Sequence, residues 1–149
     1  MQVEIVDNRS RHLVSVLSPA IEPSEDVRMA VAFVSARGLQ MIEPSIMVAA
    51  RAGGYLEFLV GLDMHWTEAE AVRALYELAE GSTNVALYCY ASLGRGGMYH
   101  PKLYLARLGD AVSCVIGSSN LTGASVNRCV NAGQAASLSG WFGARTPLT

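Results

Sequence analysis

Lys102 is the chain's single lysine, against ten arginines, and it stands two residues after His100. A run of small polar residues, Gly117-Ser118-Ser119-Asn120, follows it closely. Between them, HPKLYLARL and AVSCVIG read as strands separated only by Gly109-Asp110, the signature of a two-residue hairpin. Side chains two apart on a strand share a face, about 6–7 Å apart along the backbone. His100 and Lys102 are therefore expected to project together, with Pro101 on the other face. Counting back from the turn sets Leu108 opposite Ala111, Lys102 opposite Gly117 and His100 opposite Ser119. A slip of one residue exchanges Ser119 for Ser118. Either register brings the GSSN segment beside the histidine and the lysine.

Such a set gathers an imidazole that can serve as base or nucleophile, a fixed cation, and small hydroxyl and amide donors. A phosphoryl group undergoing substitution needs these: cations and donors for its equatorial oxygens, and a nucleophile in line. His100, Lys102 and Asn120 are the candidate catalytic residues. Lys102, Ser118, Ser119 and Asn120 are the candidate phosphate ligands. Arg95, in the glycine-rich loop SLGRGGM, is a further candidate for a backbone phosphate; its other reading is an incidental arginine in a flexible connection. No acidic cluster accompanies the set, so neither a two-metal centre nor any other cofactor is expected. GSSNL is not G-x-S-x-G, which argues against a serine hydrolase.

The elements that must position these residues are legible from their pattern. NRSRHLVSVLSPAI reads as an amphipathic helix ended by Pro19 or Pro23, after a short first strand in MQVEIVD. VRMAVAFVS and YLEFLVGLDM are continuous apolar runs of the kind covered on both faces. Between them ARGLQMIEPSIMVAARAGG is helical, with Pro44 expected to kink it or open a second helix. TEAEAVRALYELAEG is a helix with a capping box at Thr67 and Glu70 and an apolar stripe of Ala71, Ala74, Leu75 and Leu78. NVALYCYA is a further strand. This alternation implies parallel strands, to which the hairpin adds an antiparallel pair. The predicted fold class is thus α/β, a mixed β-sheet flanked by helices on both faces, in one domain over residues 1–149. The tail 131–149 has no periodicity.

Composition sets the bounds. The chain has 149 residues, 51% hydrophobic and 16% charged, as expected of a globular domain with a full core. No apolar run reaches the roughly eighteen residues of a membrane span, and the N-terminus lacks a signal pattern, so a cytoplasmic protein is expected. Cys89, Cys114 and Cys129 stand singly in strand-like surroundings and read as buried thiols. Residues 1–80 carry twelve acids and six bases, whereas residues 81–149 carry one acid, Asp110, and five bases. The second half is electropositive, which suits a phosphate-bearing partner.

On these residues the sequence resembles the phospholipase D superfamily, whose signature is H-x-K, four residues, D, six residues, G-S-x-N. H-P-K stands at 100–102, and Asp110 precedes G-S-S-N at 117–120 by the right interval. Seven residues rather than four separate Lys102 from Asp110, and Arg107 takes the place where the aspartate falls. The similarity runs over roughly residues 10 to 130 and is to the nuclease branch, in particular its restriction-endonuclease-like members. It implies a metal-independent endonuclease for DNA or RNA, with DNA ahead of RNA. His100 would form a phosphohistidine, Lys102 and Asn120 would hold the phosphoryl oxygens, and Ser118 would support them. With one copy of the motif, a homodimer would bring two copies to one composite site. Nuclease members often carry an acid in an N-x-E strand after this motif; here Asn131 is present and Gly133 takes the acid's place. The alternative reading is therefore a catalytically impaired module that binds nucleic acid within a restriction or helicase system. His12 and His65 lie in no second motif. A phospholipid-processing enzyme is disfavoured by the small size and the lack of a membrane-facing amphipathic helix.

Overall fold

The computed structural model describes residues 12–93 and 99–123. The expected first strand, Arg95, Cys129, the stretch around Asn131 and Gly133, and the tail 131–149 lie outside them. Five strands form one mixed sheet: β1 (Asp26–Val31), β2 (Tyr55–Gly61), β3 (Val85–Tyr90), β4 (Lys102–Leu108) and β5 (Ala111–Ile116), in the order β3-β2-β1-β4-β5. β1, β2 and β3 are parallel, and β4 and β5 are the antiparallel pair. Helices α1 (Leu13–Ile21), α2 (Ala36–Arg51) and α3 (Ala69–Glu80) complete the mixed α/β architecture.

Alternation along the strands decides where the core lies. Val27, Met29 and Val31 of β1, Leu56, Phe58 and Val60 of β2, and Tyr104 of β4 share one face and are buried. Against them pack Leu13, Leu17 and Ile21 of α1, Leu39, Ile42 and Ile46 of α2, and Ala71 and Leu75 of α3. Each such large apolar side chain contributes about 1.5–3 kcal/mol on burial. All three described helices thus share a single core on one face of the sheet.

Several local expectations change. Pro19 lies inside α1 rather than ending it, at the loss of the one helical bond that its missing N–H would have made to Ser15 O. Pro44 lies inside a single continuous α2; Pro44 and Gln40, whose carbonyl it cannot serve, are both on the exposed side. Thr67 does not cap α3. Its hydroxyl donates to Gly61 O (2.6 Å) and accepts from Val34 N (3.4 Å), a long-range task that removes it from the helix end. Ala74 is exposed, leaving Ala71 and Leu75 as the buried stripe of α3. Cys114 is buried as expected, but Cys89 is exposed because β3 is an edge strand.

Candidate active site

The hairpin register follows from its turn. Gly109 adopts φ 55°, a left-handed conformation that glycine accepts without a Cβ penalty. With Asp110 it closes the turn, so Leu108 pairs with Ala111 and Leu103 with Ile116. The next bond, from Gly117 N to Lys102 O at 3.3 Å, sets Lys102 opposite Gly117, as counted from the sequence. Asp110 is exposed in the turn, remote along β4 from Lys102. Arg107, which takes the place of the family's aspartate, pairs with Glu25 at 3.0 Å at the opposite end of the strand.

Lys102 lies on the core side of β4, opposite Val31, with only 7% of its surface exposed. Burial lowers the pKa of its ammonium. Nζ donates to His100 O (3.1 Å) and lies 2.6 Å from Nδ1 and 2.9 Å from Nε2 of the same residue. A neutral imidazole has one acceptor nitrogen, so only one of the two ring contacts can be a hydrogen bond. The histidine side chain thus lies over the lysine ammonium, and His100 is exposed.

Asn120 arrives from the segment after β5. Its Oδ1 accepts from Phe33 N (3.3 Å), which commits the carbonyl end of the carboxamide and leaves its NH2 group as the donor for a ligand. Phe33 also sets its ring edge-on to the His100 imidazole, with centroids 5.6 Å apart. One residue after β1 thereby spans both halves of the candidate site. Ser119 is buried, and its carbonyl accepts from Tyr104 Oη (2.8 Å). Ser118 is exposed.

A second clamp fixes the same segment. Ser35 caps α2: its Oγ accepts from Gly38 N (3.0 Å) and from Gly123 N (3.1 Å), and its own N–H donates to Leu121 O (2.9 Å). Val34 bridges Leu121 in parallel. α2 approaches so closely that a Cβ at Gly38 would lie 2.6 Å from Leu121 C and 2.7 Å from Thr122 Cα. Alanine is the better helix former by about 1 kcal/mol. Overpacking against backbone atoms that cannot swing aside costs about 1–3 kcal/mol and wins. Gly38→Ala is expected to lower the melting temperature by several degrees in a thermal melt.

All these groups gather at one end of the sheet, beyond the carboxyl ends of the parallel strands, where open α/β sheets bind their ligands. At this end Asp63, after β2, accepts from both Ser92 N (3.0 Å) and Ser92 Oγ (2.9 Å). Those bonds hold its carboxyl below the usual carboxylate range. Among the described residues no three His, Cys, Asp or Glu side chains gather to hold a metal ion. Nor is any described helix long and apolar enough to cross a membrane. The structure thus brings His100, Lys102, Ser119 and Asn120 to one region. Phe33 and Ser35, which hold the segment carrying Asn120, are the residues that sequence reasoning missed. Only Ser35 carried a local signal, a serine directly before a helical pattern.

The chain shares its fold with NucT from Helicobacter pylori. The TM-score is 0.62 at 15% identity, over 90% of this chain and 82% of that one. The fold is of the phospholipase D type. Polyphosphate kinase from Porphyromonas gingivalis contains the same phospholipase D-like fold, with a TM-score of 0.55 at 16% identity. That match covers 80% of this chain but 20% of the kinase. No protein-family profile matches the sequence, and no curated protein does.

Proposed function

We propose that the protein is a metal-independent phosphodiesterase of nucleic acid, working at a composite site formed by two copies of the chain. The observation that carries this reading is the buried ammonium of Lys102, the first residue of β4, held against the exposed imidazole of His100 two residues before it. In the first step one ring nitrogen of His100 attacks phosphorus. The P–N bond forms as the P–O bond to the leaving strand breaks, and the partner subunit's His100 gives that oxygen its proton. In the second step the same imidazole takes a proton from water, whose oxygen attacks phosphorus and breaks the P–N bond. Lys102 Nζ and the Asn120 NH2 group stabilise the equatorial oxygens, whose charge shifts in both steps. A fold shared with a protein named as a polyphosphate kinase is compatible with phosphoryl chemistry at such a site. DNA is favoured over RNA as substrate only by the resemblance to restriction-type nucleases.

A specific observation favours a second reading, a phospholipase D-like module that binds nucleic acid without turnover. Among the described residues, the His100 ring contacts Lys102 and Phe33 and no carboxylate. Arg107, in the place of the family's acid, is engaged by Glu25. The two readings separate in one assay of plasmid and single-stranded DNA in excess EDTA. The first expects cleavage to persist undiminished, and loss of cleavage on chelation would remove it. DNA binding with no cleavage under any condition would establish the second.

A further inference from the structure

Trp66 is 62% exposed, yet it is not loosely placed. Its ring rests on Phe33, with centroids 4.9 Å apart and planes tilted by 57°. Phe33 is 2% exposed, and its ring also meets the His100 imidazole edge-on. The three rings form a continuous series running from the candidate nucleophile to the solvent. The turn that presents the indole, Asp63–His65, is tied down by the Asp63–Ser92 bonds. It ends on His65 at φ 57°, a left-handed conformation that costs energy in a residue bearing a Cβ. The following Thr67 is anchored to Gly61 and Val34. An indole backed by a buried ring and held from both sides loses little further freedom when a flat ligand covers its outer face.

Resting on the nucleic-acid reading above, we propose that Trp66 is the stacking platform for an unpaired nucleobase adjoining the scissile phosphate, which makes the preferred substrate single-stranded. The phosphate at His100 and the base on Trp66 are separated by one intervening ring, the reach of one nucleotide. A paired base within a duplex has both faces covered by its neighbours and cannot offer one to the indole. Stacking is indifferent to base identity, because every base presents a π face, so the subsite selects strandedness rather than sequence.

The test compares two fluorescent oligonucleotides of equal length by anisotropy: oligodeoxythymidylate and the same strand with abasic residues. Wild-type protein binds the base-bearing strand more tightly. Trp66→Ala weakens that binding about ten-fold or more and leaves the abasic strand unchanged. Trp66→Phe, which keeps a ring, retains most of the affinity and guards against a folding artefact. Equal losses on both strands, or a wild-type protein that binds both equally, would overturn the platform. So would a change in oligomeric state in Trp66→Ala with no base-dependent loss. A wild-type protein that shows the base-dependent binding but cleaves neither strand would sink the catalytic reading and leave the stacking site standing.

Discussion

If the protein is the proposed phosphodiesterase, replacing Lys102 with methionine is expected to remove cleavage and to make the protein more stable. Both effects follow from one placement. The ammonium is buried, it faces an imidazole and a carbonyl, and loss of solvent lowers its pKa. A cation held this way costs stability that an isosteric apolar side chain does not. Lys102→Met is expected to gain about 1 kcal/mol, a rise of a few degrees in melting temperature. Removing a preorganised group from an oxyanion-stabilising site costs about 10²–10³ in turnover. The sign of the pH dependence is fixed as well. Between the lowered folded pKa and the unfolded value of 10.5, the unfolded chain binds more protons, so wild-type stability from this group rises with pH across that window. The advantage of the methionine variant should therefore shrink as the pH rises through the lowered folded pKa toward 10.5. A variant less stable than wild type at pH 7 would contradict this account of the lysine.

His100→Ala should differ in sign on stability: activity falls to background, about 10⁴-fold or more, and the melting temperature drops rather than rises. The ring is exposed, but it faces the buried Lys102 ammonium, and taking a partner from a buried donor costs about 1–3 kcal/mol. Its sharper use is in mixed dimers. If each composite site needs two imidazoles, coexpressing wild-type and His100→Ala chains in equal amounts leaves about a quarter of the activity, because only dimers of two wild-type chains work. A loss of only one half would mean that each copy acts alone.

The hairpin was legible in the sequence because its information is local. A Gly-Asp turn, the two-residue period and a histidine two before a lysine suffice to bring Lys102 opposite Gly117, and the Gly117–Lys102 bond realises that register. The parallel strands were likewise readable as continuous apolar runs. What escaped was set by contacts across the chain. Phe33 lay in the run AVAFVS and looked like any core strand residue, yet its amide is used by Asn120, 87 positions away. Thr67 and Glu70 matched a capping box, but Gly61 and Val34 take the threonine hydroxyl. Glu68, the residue at the cap position, reaches instead to Ala36 N at the start of α2 (2.8 Å). Cys89 read as buried because its neighbours are apolar, and nothing in those neighbours reveals that β3 ends the sheet.

The solitary lysine also turns the chain into its own reporter of opening. A lysine-specific protease has one peptide bond to cut, Lys102–Leu103, at the start of β4, a strand hydrogen-bonded on both sides by β1 and β5. That bond becomes accessible only when the sheet itself comes apart. The rate at which the chain splits in two then follows the population of the opened state, without any label or probe.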